Sequence, residues 1–260
     1  MVKSKNNLRH FFLLTIGFSW IFWLIVIFIN KSYPEKIILK EILDNFAVFV
    51  PSIMGVFYVY LETGKEGVIK LLKKGINYKF DLKYYLYLII MPTILILSFL
   101  LSKLFFTINI EMSLFENPKL IPLVFVYIFF LGGPLGEEFG WRGYALPKLN
   151  MIFKPLYSSF ILGIIWSIWH LPLFYMQDTV QGEVNFFGYT LFTILITILI
   201  TIIFIKSGGS ILAAILFHTL TNLSWGVFPL FYQTRSAIIV LILLILTTGF
   251  LVYKNRDIMI

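Results

Sequence analysis

The sequence predicts an all-α fold: a polytopic membrane helix bundle of about eight transmembrane helices with both termini cytoplasmic. Three observations predict it. Of 260 residues, 59% are hydrophobic and only 13% charged, whereas a soluble domain is about a quarter charged. The apolar residues gather into runs that approach the roughly 20 residues needed to cross the hydrocarbon core. The Lys and Arg residues are distributed unevenly between the two ends of those runs.

The runs lie at roughly 11–29, 45–61, 84–104, 119–135, 157–175, 186–205, 210–230 and 236–253. With the N-terminus placed inside, fifteen of the 21 Lys and Arg residues fall on the inner side. The rule that short cytoplasmic loops collect these residues then puts both ends in the cytoplasm. Net charge of +8 therefore needs no nucleic-acid partner to explain it. The first run follows Lys3, Lys5 and Arg9 but is too long for a signal core and lacks a small-residue cleavage site, so it is expected to remain as a span. Between the second and third runs, GKEGVIKLLKKGINYKFDLK alternates apolar pairs with lysines at helical spacing. That pattern predicts an amphipathic helix lying on the cytoplasmic face. With no internal repeat and no low-complexity tract, residues 1–260 are expected to form one membrane domain. Cysteine is absent, which excludes disulfides, thiolate zinc ligands and a cysteine nucleophile.

An ionisable side chain at the centre of a span costs about 2.5–3.5 kcal/mol on insertion scales and marks a functional site by default. The first, second, third, sixth and eighth spans offer none to follow. Candidates gather in three places: Glu137, Glu138 and Arg142 in GGPLGEEFGWRGYALP at the end of the fourth span, His170 in the fifth, and His218 with Asn222 in the seventh. Glu138 and Arg142 are one helical turn apart with the acid first, the better order for an ion pair. His218 and Asn222 share the same spacing and one helix face. Glu137 has no such partner and is left for chemistry. Gly132, Gly133 and Pro134 break the span, and Pro134 suits the first turn of a new helix. Both glutamates then lie where the helix dipole favours negative charge. Counted along the spans at about 1.5 Å per residue, the histidines lie deeper than the glutamates; the site is expected in the inner half of the bilayer.

A desolvated carboxylate can take a proton from water, and imidazoles with an amide can hold an oxyanion. Hydrolysis of a peptide bond is the reaction this set fits. The same residues offer a second possibility, since two histidines and a carboxylate form a familiar zinc shell. HExxH is absent, so such a site would draw its ligands from three separate spans. Trp141, Trp166, Trp169 and Trp225 are expected to pack and anchor rather than to line a lipid-binding surface. Asp178 and Glu183, between the fifth and sixth spans, are expected to be solvated.

At EEFGWR (137–142), WSIWH (166–170) and HTLTN (218–222) the sequence resembles the CPBP family of CaaX proteases and bacteriocin-processing enzymes, also called Abi. That family carries EExxxR, FxxxH and HxxxN or HxxxD on successive helices. Trp166 stands where the family usually has phenylalanine. The resemblance is good over 120–225, the expected catalytic core. It implies an intramembrane endopeptidase with Glu137 activating water, His170 positioning it, and His218 with Asn222 stabilising the oxyanion. Glu138 and Arg142 would support the arrangement. Family members are described both as metalloproteases and as metal-free glutamate proteases, so a divalent metal such as zinc stays open as a cofactor. The implied partners are the lipid bilayer and a peptide or membrane-protein substrate, with no nucleic acid. Richness in Lys, Ile, Asn and Phe points to an AT-rich genome and a bacterial cell membrane. The rival readings are a non-catalytic bacteriocin-immunity or regulatory scaffold of the same fold, and a proton-coupled transporter, which no inverted repeat supports.

Overall fold

A computed structural model describes residues 2–107, 111–176 and 179–260; Asp178 lies outside them. Helices account for the regular structure, and no strand occurs among the described residues. In chain order the α-helices are α1 (Val2–Ser32), α2 (Ile37–Lys74), α3 (Ile90–Phe105), α4 (Ser113–Glu116), α5 (Ile121–Phe130), α6 (Pro134–Gly140), α7 (Leu146–Asn150), α8 (Pro155–Trp169), α9 (Phe186–Lys206), α10 (Ile211–Val227), α11 (Thr234–Lys254) and α12 (Arg256–Met259). Among the described residues, seven helical segments are long and apolar enough to cross a membrane, with α5, α6 and α7 joined in one of them. The remaining expected span, the seventh, is α10, which at 17 residues is about 26 Å long, short of the roughly 30 Å core. Its length suits its position, because it is buried on most sides among α3, α5, α6 and α9.

Several hydroxyls in the bundle are satisfied by nearby carbonyls, as suits a lipid-embedded chain. In α9, the hydroxyls of Thr193, Thr197 and Thr201 each donate to the carbonyl one turn back at 2.7–2.8 Å. Ser159 on α8 also donates to Thr201 at 2.8 Å, and Gly163 lets the two helices approach until an added Cβ would stand 2.7 Å from the Ile194 Cα. Ser210 caps α10 by accepting from the Ala213 N–H at 3.1 Å. The same hydroxyl donates to the Asn77 carbonyl at 2.6 Å, tying the loop after α2 to the start of α10.

The expected amphipathic helix forms only in part. At Gly64, with φ +65°, the backbone kinks, and a second, lysine-rich helical segment runs on to Lys74 with Lys65, Lys70, Lys73 and Lys74 exposed and Leu71 buried. It ends at Gly75, and a separate 3₁₀ segment, Leu82–Ile89, leads into α3. A glycine at positive φ costs little there, whereas any other residue would be strained.

α5 is ten residues long, about 15 Å, and stops where the sequence places its Gly-Gly-Pro break. Gly133 has φ +112°, and Pro134 opens α6. The chain therefore turns inside the bundle. A π-helical turn, Trp141–Ala145, follows, a feature often found at functional sites. α6 is pressed against α2 by small residues. A Cβ on Gly140 would stand 2.2 Å from the Pro51 carbonyl oxygen, and one on Gly55 would stand 2.8 Å from the Gly140 Cα. The Ser52 hydroxyl donates to the Leu135 carbonyl at 3.0 Å across the same contact. Overpacking a tight contact costs roughly 1–3 kcal/mol. Gly140→Ala is therefore expected to lower the melting temperature of the purified protein in detergent, while Gly249→Ala, with open space around it, leaves it unchanged.

Candidate active site

Glu137, Glu138, Arg142, His170 and His218 are all buried, and α6, the π turn, α8 and α10 bring them together. Glu138 and Arg142 form the expected one-turn contact, Nη1 to Oε1 at 2.9 Å with both side chains inaccessible. The face of the guanidinium is covered by the Trp166 indole, with Cζ 4.7 Å from the ring centroid. His218 Nδ1 lies 2.9 Å from the same Glu138 Oε1, so this carboxylate oxygen holds two cationic or donor groups from two elements.

Glu137 is not without a partner. Its Oε2 accepts hydrogen bonds from the indole N–H of Trp166 at 2.6 Å and of Trp141 at 3.2 Å. Trp141 stands one helical turn after Glu137, a spacing that a reading of charges alone passes over because an indole N–H carries none. No sequence rule pointed to Trp166, which reaches Glu137 from α8; its one signal was its departure from the phenylalanine of the motif. Oε1 points back along α6, where a Cβ on Gly133 would stand 2.6 Å away.

A cavity of about 780 Å³ is lined by Glu137, His170, His218 and Asn222 together. The four candidates thus share one space, although the direct bond of His218 is to Glu138. Asn222 Nδ2 donates to the Gly132 carbonyl at 3.4 Å, at the break before α6. His170 Nδ1 lies 2.8 Å from the Trp166 carbonyl. A carbonyl only accepts, so Nδ1 carries the proton and Nε2 of the neutral ring is an acceptor. The broken helix resolves the difference in depth, because α5 ends partway across and Glu137 lies inside the bundle. The cavity walls continue to Glu111, Ser113, Thr179, Gln181, Pro229 and Tyr232. These belong to connections at the end of the bundle opposite the chain termini, so the cavity extends away from the end that carries most of the lysines.

The second span was expected to contribute nothing, yet Asp44 on α2 lines this cavity and its Oδ1 accepts from the Trp23 indole at 2.7 Å. It sits one residue before the apolar run, where a span count does not register it. Trp166, Trp169 and Trp225 line the cavity as well as pack, while Trp141 is enclosed. Glu183 belongs to a short 3₁₀ turn, Gln181–Glu183, and is exposed.

The fold and this site define a multi-pass membrane protein with buried carboxylates and histidines around one cavity. A profile described as Type II CAAX prenyl endopeptidase Rce1-like matches residues 119–224, the segment that carries all three motifs. The chain is 28% identical over 258 residues to CAAX prenyl protease 2 of Methanococcus maripaludis, with 90% of each chain covered.

Leaving one partner of a buried ion pair unpaired costs roughly 3–5 kcal/mol. Arg142→Met is accordingly expected to reduce the yield and melting temperature of detergent-purified protein severely. Adding Glu138→Gln to it removes the stranded charge, so the double variant is expected to melt higher than Arg142→Met alone.

Proposed function

We propose that the protein hydrolyses a peptide bond of a membrane-associated or peptide-precursor substrate with a water activated by Glu137. The observation that carries this reading is the shared cavity wall: a buried carboxylate with one oxygen held by two indole N–H groups, beside two histidines and an amide. Glu137 takes a proton from the water as the oxygen attacks the carbonyl carbon. The neutral carboxylic acid returns that proton to the amide nitrogen as the C–N bond breaks, leaving a carboxylic acid and an amine as products. His170, with Nε2 as acceptor, orients the attacking water. Asn222 Nδ2 and His218 Nε2 donate to the oxyanion. For that, His218 must carry protons on both nitrogens, with Glu138 as counter-charge through Nδ1.

Residues 120–225 supply every one of these groups and form the proposed catalytic core. The relative's name assigns it a prenylated CAAX substrate; for this chain the same class is one member of the proposed set of membrane-associated substrates.

Glu137, His170 and His218 are also the donors that zinc would need. Among the described residues, no group of three or more His, Asp or Glu side chains is placed to hold one ion. In this arrangement Glu138 takes the Nδ1 of His218 and two indoles take an oxygen of Glu137, so no step is routed through a metal.

Loss of a general base typically costs about 10²–10⁴ in rate, and loss of an oxyanion donor about 10²–10³. With a peptide library and purified protein in detergent, Glu137→Gln is expected to fall to background and His218→Ala and Asn222→Ala to fall less far. The wild type is expected to keep cleaving in chelator. Undiminished cleavage by Glu137→Gln overturns the assignment of the base, and loss of activity on chelation alone transfers the role to a metal.

A further inference from the structure

The geometry points to Trp166 as the positioning residue that decides which oxygen of Glu137 acts as the base. This inference rests on the reading of Glu137 as the base and assigns a role to a residue outside the proposed catalytic set. Trp166 is 3% exposed and touches every motif of the centre. Its N–H donates to Glu137 Oε2 at 2.6 Å. Its ring covers the Arg142 guanidinium at 4.7 Å and meets the His218 ring edge to face at 5.1 Å. Its carbonyl receives the His170 Nδ1 proton at 2.8 Å.

The consequence for Glu137 is a division between its two oxygens. Oε2 takes both indole donors, so its lone pairs are engaged before substrate arrives. Among the described residues no donor is bonded to Oε1, which lies beside Gly133 at the broken end of α6, and Gly133 itself lines the cavity. Oε1 is therefore the oxygen left to take the proton of water. A freely rotating carboxylate would offer either oxygen and lose orientation with each turn; the short Trp166 bond, backed by the longer Trp141 bond, prevents that rotation. Phenylalanine at 166 fills much of the same space and cannot donate.

Misplacement of a catalytic group by about 1 Å can cost on the order of a hundredfold in rate. Trp166→Phe is expected to lower kcat roughly ten- to hundredfold, with KM unchanged. Trp141→Phe, which removes the bond at 3.2 Å, is expected to lower kcat less. Because a smaller ring also alters packing, the decisive replacement is β-(3-benzothienyl)alanine at position 166, which keeps the bicyclic shape and exchanges the N–H for sulfur. A fall in kcat like that of Trp166→Phe supports the inference. Wild-type kcat in the benzothienyl protein overturns it, and so does a loss in Trp166→Phe that appears in KM instead of kcat. Glu137→Gln measured alongside separates the two failures: if it is inactive while the benzothienyl protein is fully active, the base stands and the role of Trp166 falls. If Glu137→Gln is itself active, the reading of Glu137 falls.

Discussion

Everything at this centre depends on how charge is kept inside an apolar bundle. An unpaired ion in such surroundings is prohibitively costly, and three motifs carrying ionisable or polar side chains meet around one cavity. Glu138 Oε1 answers the problem by accepting from both Arg142 and His218. That one atom joins the π turn to α10 and so fixes the third motif relative to the first. The guanidinium spends its flat face on an indole, as arginine, more weakly hydrated than lysine, does readily.

Tryptophan does for the other carboxylate what arginine does for Glu138. An indole N–H is a donor on a largely apolar body, so it can be buried in a membrane core at little cost and still hold an oxygen of Glu137. The two glutamates are adjacent in sequence and opposite in treatment. One is closed by charge, and the other is held by neutral donors that leave its second oxygen open. Adjacent residues on a helix point about 100° apart, which lets one face α10 and the other the indoles.

Most of the fold was legible because hydropathy is written along the chain: the spans, the break at Gly132–Pro134 and the Glu138–Arg142 spacing are all local. Contacts across the bundle were not. His218 reaches Glu138 over 80 positions and Trp166 reaches Glu137 over 29, and no periodicity encodes which of two neighbouring acids a distant ring will meet. Asp44 escaped because it lies just outside an apolar run while α2 itself continues beyond it at both ends. The amphipathic segment was overextended for a related reason: lysine spacing persists past Gly75, but the backbone there has already turned toward α10. The short α10 shows the converse, a helix apolar enough to read as a span whose surroundings are mostly protein.

The interlock of Gly55, Gly140 and Pro51 has a consequence for motion. Backbones in van der Waals contact cannot slide without lifting one ridge over another, and packed interiors have little slack for that. α2 and α6 therefore move as one body, and Glu137 travels with the helix that also carries Asp44. The loops around Glu111, Thr179 and Tyr232 border the same cavity outside that interlock, so the lining divides into a part tied to the α2–α6 contact and a part that is not.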